Sequence, residues 1–393
     1  MKQTFELVEQ KIDVHFDKCR EAADYLTDHP EIGGEEKGSC AYLVSFLRNQ
    51  GYEVQTPYAG MPHSFLAVPE AKKQVTRRAV FLCEYDALPE VGHACGHSVS
   101  CGASILAGLA INEAFSDRSV RIDIMGTPAE ENLGGKVVIA ENGGFDGYAY
   151  AAMAHMNNED CTCFRVLASN DRYITFRGKA SHASAAPEIG LNALNAARLF
   201  MDAMDMWRQH IPRDCQFHGI VAEGGEAPNI VPDKVVLDYY FRAATMENLA
   251  LVNEKARICA EGAAHATDTV VTMEQRYPDY GEIFSNEYRD MFMRRIFEKT
   301  GRRSAVPKEP KGSSDGGNVD MRIPIFHPMV DITNGRKEIP LHDRAFAALL
   351  KTAEAYRGMK DGARILCRIA DELEMNPEVE AQIQKDHKAY RNL

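Results

Sequence analysis

The rhythm of strand and helix changes near residue 170, and that change limits the fold more than any other feature of this chain. Before it, residues 4–50 read as two helices, broken at His29-Pro30 and Gly33-Gly34 and stopped by Gly51. Short β-rich runs follow at Phe65–Val68 and Ala79–Cys83, then an apolar helical stretch from Ser98 to Phe115. A strand from Val120 to Thr127 and a buried strand from Tyr148 to Met156 come next. Strand alternating with helix predicts an α/β domain built on a central sheet. From about 170 to 285 the order becomes β-α-β-β-α-β. Strand Tyr173–Phe176 leads to helix Gly190–His210, strands Phe217–Val221 and Val235–Phe241, helix Glu247–Ala266 and strand Thr269–Met273. This is the signature of a ferredoxin-like module, set inside a larger pattern that resumes with a helix at Glu287–Thr300. The expected architecture is α/β and two-domain: residues 1–169 and 286–393 form one domain, and 170–285 an inserted second one. A chain of 393 residues is too long for one typical core, in keeping with this division.

Composition removes several classes of function. With 45 Lys and Arg against 57 Asp and Glu the net charge is −12, and no basic run offsets it, so nucleic acid is not an expected partner. No stretch approaches the roughly 20 apolar residues that span a bilayer, so no membrane partner is expected. The amino-terminal residues lack the apolar core of a signal peptide. The ten cysteines are scattered rather than framed, which predicts reduced thiols in a cytoplasm, most of them small buried hydrophobes such as Cys40 and Cys83.

Chemistry concentrates where two carboxylates stand side by side. Glu130 and Glu131 follow the strand Val120–Thr127 at a Gly-rich turn, 33 residues after the cluster His93-Ala94-Cys95-Gly96-His97. Adjacent like charges are best tolerated when one binds a cation and the other handles a proton. Cys and His supply the sulfur and nitrogen donors that Zn²⁺ prefers. Cys95-x-His97 spacing alone is weak, but the Cys95 cluster, Glu131 and His155 each follow a predicted strand, and open α/β sheets gather ligands at strand carboxyl ends. One glutamate then coordinates metal while its neighbour takes a proton from water. A solvated pair at a loop start is the bland alternative. His182 reads as a loop histidine, Asn229 as a turn residue, Arg242 as a surface charge at a strand end. Ser313–Asn318 reads as a Gly-rich turn, and Cys161-Thr162-Cys163 as alternate residues of one strand.

Several phrases together resemble the aminoacylase, hippurate hydrolase and carboxypeptidase G superfamily of zinc metallopeptidases. They are Glu84-Tyr85-Asp86-Ala87-Leu88-Pro89 running to His93-Ala94-Cys95-Gly96-His97, and Gly126-Thr127-Pro128-Ala129-Glu130-Glu131. Lys179-Ala180-Ser181-His182-Ala183, Ala227-Pro228-Asn229-Ile230-Val231-Pro232 and Ser314-Asp315-Gly316-Gly317-Asn318-Val319 follow in the family's order. The likeness is strongest to the branch with p-aminobenzoyl-glutamate hydrolase and related dipeptidases. It implies a two-metal site, zinc with manganese or cobalt as alternatives, held by Cys95, His97, Glu131, His155 and a last histidine. His342 matches that position best and His327 is the runner-up. The resemblance further implies Glu130 as general base, Asp86 as the residue that orients the site, and His182 as an oxyanion donor on a lid. Asn229 and Arg242 are implied as substrate-binding groups, and the inserted domain as a dimerisation surface giving a homodimer. Ser98 stands where many relatives carry Asp, and Val99 and Ser100 replace a common downstream His.

The function expected is hydrolysis of the amide bond of a small N-acyl amino acid or dipeptide. Two alternatives remain open: a thiol amidase with Cys95 as nucleophile, and a non-catalytic metal-binding regulatory subunit of the same fold. A zinc nucleobase deaminase lacks its paired-Cys motif here.

Overall fold

The computed structural model describes residues 2–392 apart from 73, 76, 116–118, 308 and 311, with side chains from residue 5 onward. The chain divides into two compact units, Met1–Arg165 with Ile283–Leu393, and Val166–Glu282.

The first unit is organised by a six-stranded mixed sheet. Its strands are β1 (Tyr52–Gln55), β2 (Phe65–Pro69), β3 (Arg77–Cys83), β4 (Val120–Gly126), β5 (Ala151–Ala152) and β11 (Ile325–Phe326), in the spatial order β1-β2-β4-β3-β5-β11. β3, β4, β5 and β11 run parallel to their neighbours within that group. All of β4 and the last five residues of β3 are buried. Covered on both faces, the buried part of β3 is a continuous apolar run, while β4 buries Arg121 and Asp123 as an ion pair at 2.7 Å. Helix α3 (His97–Ala114) is apolar on every side and buried through Ile111, as a helix wholly inside a core must be. It packs on helix α1 (Lys2–Asp28) and on the helix Ala353–Met375. Helix α1 stops at His29-Pro30, since proline disfavours helical backbone in the residue before it. Helix α2 (Lys37–Asn49) follows, and a short helix α4 (Gly135–Glu141) comes after β4.

The predicted strand Tyr148–Met156 is two short strands instead, and its partner explains why. β5 pairs with β11, while β6 (His155–Asn157) pairs with β12 (Met329–Asp331) in a separate two-stranded sheet. The switch occurs opposite His327-Pro328; proline has no N–H to give a ladder, so pairing breaks there. Cys161-Thr162-Cys163 does not form one strand either. Cys161 makes only isolated bridges to Ala305 and Met329, and the Cys163 thiol lies 3.8 Å from Asp290 Oδ1.

The second unit has a four-stranded antiparallel sheet, β10-β7-β9-β8, built from β7 (Ala168–Arg177), β8 (Gln216–Glu223), β9 (Lys234–Ala243) and β10 (Val270–Gln275). With helices α5 (Ala193–Trp207) and α6 (Met246–Ala266) between strands, the chain order is β-α-β-β-α-β, a ferredoxin-like module. β9 alternates buried and half-buried residues along its whole length, because one face receives the helices. Asn192 caps α5 by accepting from the backbone N–H groups of Leu194 and Asn195, and Thr245 caps α6 through Asn248.

Candidate metal centre and active site

Parallel strands β3, β4 and β5 deliver the site residues from their carboxyl ends. β3 ends at Cys83 and runs into Glu84-Tyr85-Asp86; β4 ends at Gly126 and runs into Thr127–Glu131; His155 opens β6 just beyond β5. Gly96 sits between Cys95 and His97 at φ +87°, as the N-cap of α3. That left-handed turn, cheap only for glycine, brings the Cys95 and His97 side chains to the same point. Cys95, His97 and His155 have donor atoms within 4.8 Å of one another, and so do Cys95, Glu131 and His342. The two triads share Cys95.

Within them, Cys95 Sγ lies 3.6 Å from His155 Nε2 and 3.3 Å from His342 Nε2, and His342 Nε2 lies 3.4 Å from Glu131 Oε1. Two ligands of one four-coordinate cation at usual bond lengths are roughly 3.3–3.7 Å apart, so these spacings suit a shared metal pair. His97 Nε2 and Glu131 Oε1 are sealed from solvent without a hydrogen-bond partner, a costly state unless something charged occupies the gap. Cys, His and Glu donors converging in this way, with His97, His155 and the Glu131 loop held from behind, suit a divalent metal. Asp86 does much of that orienting. His97 Nδ1 lies 3.0 Å from the Asp86 carbonyl and 3.1 Å from its Oδ1, and Asp86 Oδ2 accepts from the Glu131 N–H at 2.9 Å. His155 Nδ1 meets the Met156 carbonyl at 2.7 Å. His327 is buried with neither ring nitrogen hydrogen-bonded; its ring centroid is 5.8 Å from that of His155, and it belongs to neither triad.

The carboxylate pair is split electrostatically. Burial tends to raise Glu131, but the adjacent His342 and His97 imidazoles outweigh it and bring it down to about 2. Burial, then Glu131 and Glu84, push Glu130 well above the usual carboxylate range. Neighbours driven apart in this way are suited to different tasks, one as permanent anion and one as proton carrier. Glu130 also lies with His97 and Glu131 in a ligand group of the same size. Its turn is held from below, where Glu36 Oε1 accepts from the Ala129 N–H at 2.7 Å. Ala129 has φ +62°.

Ser98 and Ser100, the departures from the family pattern, are buried structural groups. Ser98 Oγ accepts from Thr27 at 2.8 Å, joining α3 to α1, and Ser100 Oγ accepts from the Met156 N–H at 3.0 Å. Sequence reasoning missed three residues beneath the cluster. Lys136, Glu84 and Asp315 are fully buried, with Lys136 Nζ 2.6 Å from Glu84 Oε1 and 2.6 Å from Asp315 Oδ1. Ser313–Asn318 is therefore not a plain turn, since Asp315 precedes the short helix Gly316–Asp320 and points inward. The available signal was a charged residue directly after a buried strand, at Glu84; Lys136 offered none. A cavity of about 730 Å³ opens on the centre, lined by Cys95, Glu130, Glu131, His155 and His342 and reaching Glu159 and Glu309.

His182, Asn229 and Arg242 belong to the second unit. His182 is exposed, and its Nδ1 lies 3.2 Å from the Ala185 N–H. An isolated bridge to Ile230, with the Ala183 N–H donating to the Asn229 carbonyl at 2.9 Å, keeps the two loops side by side. Arg242 lies on β9, its guanidinium 5.8 Å from the Tyr240 ring centre.

A model of the peptidase dimerisation domain matches residues 171–267. The Xaa-Arg dipeptidase of Mus musculus is 34% identical over 335 residues, 81% of this chain and 78% of that protein. One of the p-aminobenzoyl-glutamate hydrolase chains of Escherichia coli (strain K12) is 29% identical over 297 residues, 69% of this chain and 60% of that protein. A dinuclear metal-binding peptidase of the M20 family from Bacillus subtilis shares the fold, with a TM-score of 0.67, 17% identity, and coverage of 92% of this chain and 99% of that one. On these similarities the chain belongs to the M20 family of metallopeptidases.

Proposed function

We infer that this enzyme hydrolyses the amide bond of a small dipeptide or N-acyl amino acid at a two-metal centre held by Cys95, His97, Glu131, His155 and His342. The observation that carries the reading is the pair of donor triads sharing Cys95, with Glu130 beside them at the wall of a substrate-sized cavity. The donor set suits zinc, with manganese or cobalt as alternatives. Such ions, when bound, polarise a carbonyl and make water acidic enough to attack it. Glu130 takes the proton from the attacking water and returns it to the leaving amine. Asp86 holds His97 and the Glu131 loop in place. His182 supplies a hydrogen bond to the oxyanion, and Asn229 and Arg242 hold the substrate's polar groups, as implied for a lid domain. The name of the mouse relative points to dipeptides ending in arginine, and Glu309 on the cavity wall is an anionic group that would receive one, with Glu159 nearby already paired to Lys337 at 2.8 Å.

Burial and then the Glu131 carboxylate push the Cys95 thiol well above its usual range. A buried thiol that holds its proton is a poor nucleophile, which disfavours the thiol-amidase alternative. Dimerisation through the second unit is supported by the dimerisation-domain match and by β8, a sheet-edge strand with Ile220 and Val221 exposed. Among the described residues no helix is long and apolar enough to cross a membrane, and all ten cysteines are free of disulfides; the latter supports a reducing, cytoplasmic setting. The deciding experiment measures metal content beside turnover of Xaa-Arg and Xaa-Lys dipeptides, N-acyl amino acids and p-aminobenzoyl-glutamate, before and after chelation. Turnover that survives complete metal removal overturns the reading.

A further inference from the structure

We propose that Glu84 is an additional ligand of the ion held by Cys95, His97 and His155, with Lys136 and Asp315 fixing the oxygen it presents. The proposal rests on the two-metal reading above. It begins with the unequal surroundings of the two Glu84 oxygens. Oε1 lies 2.6 Å from Lys136 Nζ, whereas Oε2 lies 3.3 Å from His97 Nε2 and 3.9 Å from His155 Nε2. Those are the nitrogens left to face a cation, because His97 Nδ1 is engaged by Asp86 and His155 Nδ1 by the Met156 carbonyl. Both Glu84 oxygens and His97 Nε2 are sealed from solvent without a hydrogen-bond partner, and of the two oxygens Oε1 has the Lys136 ammonium at ion-pair distance while Oε2 faces the histidines. A carboxylate needed only to hold Lys136 against Asp315 would use Oε1 alone, with no reason to aim its second oxygen at two histidines.

Charge gives an independent argument. Lys136 is one buried cation serving two buried carboxylates, Glu84 and Asp315. Glu84 stands outside the Cys95, His97 and His155 triad as defined above and lies in an acidic group with Glu130 and Asp315, their oxygens within 4.8 Å of one another; its approach to the triad is through the two histidine nitrogens. An uncompensated charge sealed from water is strongly unfavourable, and a divalent ion touching Glu84 Oε2 removes that excess. The assignment also separates the two ions by role. The ion on Cys95, His97, His155 and Glu84 has four protein donors, as closed sites do. Its neighbour on Cys95, Glu131 and His342 has three and keeps a position open to the cavity. The cavity is lined by Glu131 and His342, and by Cys95 and His155, while Glu84 and His97 lie behind them outside its wall.

The test compares zinc- and cobalt-loaded wild type with Glu84→Gln, which preserves length and leaves an amide oxygen for Lys136. Metal stoichiometry, titration affinity and the cobalt absorption spectrum are read on both. The wild type should bind two ions. The variant should hold one of them at least about tenfold more weakly, with a changed cobalt spectrum. A zinc-loaded wild-type structure decides the matter even if the variant folds poorly: Glu84 Oε2 should lie about 2.0–2.2 Å from one zinc. Two bound ions with Glu84 Oε2 outside bonding distance overturn the proposal, as does a variant with wild-type affinity for both. A wild type that binds no metal overturns the two-metal reading and the Glu84 assignment together.

Discussion

Asp320 should be the acid-labile support of the site, and Asp320→Asn isolates its contribution. It ends the short helix Gly316–Asp320, whose preceding residue, Asp315, pairs with Lys136. Its buried carboxylate accepts from Arg391 at 2.7 Å, from the Phe284 N–H at 2.9 Å and from the Ile325 N–H at 3.2 Å, with Arg289 3.6 Å away. Burial favours the neutral acid, but His387, Arg289 and Arg391 outweigh it and lower the pKa from 3.8 to about 2. At 1.36 kcal/mol per unit, that shift amounts to about 2 kcal/mol of folding stability. For a depressed carboxylate the stabilisation is fully present above the unfolded-state value, near 4, and is lost as pH falls toward 2. Urea unfolding of wild type and Asp320→Asn between pH 6 and 2.5 would measure it. Other carboxylates titrate in both proteins and cancel in the difference. At pH 6 the variant should be less stable by about 3–5 kcal/mol, the range for breaking a buried ion pair. The gap should narrow by about 2 kcal/mol toward the acid end. A difference that stays constant with pH would refute the coupling of Asp320 to its cationic neighbours.

Glu130→Gln should retain metal while turnover falls by about 10²–10⁴; near wild-type rates would remove Glu130 from the chemistry. Cys95→Ala should lose occupancy of both ions, because the triads share that sulfur; full metal content alongside lost activity, and a parent killed by alkylation but not by chelators, would favour the thiol alternative. His342→Ala should release one ion and His327→Ala none, as counted by metal analysis, and the opposite outcome would make His327 the last ligand. His182→Ala should lower kcat rather than raise KM, by about 2.7–4 kcal/mol of transition-state stabilisation; unchanged kcat would end the oxyanion role. Activity regained on mixing His182→Ala with Glu130→Gln would place His182 on the partner's site.

Much of the architecture was legible because it is local. Cys95, His97, Glu131 and His155 follow apolar runs that had to be strands, and strand ends in a parallel sheet converge, so these residues could be grouped before any coordinates. The βαββαβ order was readable from periodicity, since alternating and helical patterns in 170–285 each need only one face buried. Lys136 and Asp315 were not legible, and Glu84 offered only its place directly after a buried strand. In sequence, Lys136 stands near the start of an ordinary helix after two glycines and Asp315 sits in a Gly-rich stretch; both resemble solvated surface charges. What brings them together is that 179 residues of separation vanish when the chain closes. The choice between His342 and His327 has the same character. Both follow plausible loops, but only His342 reaches Cys95 and Glu131. Residue order alone settles which side-chain types stand at which strand ends, because hydrophobic period and turn chemistry act over a few residues. Which charges are sealed from water, and which donors share a point, is settled only on folding, because burial and convergence depend on segments distant in the chain.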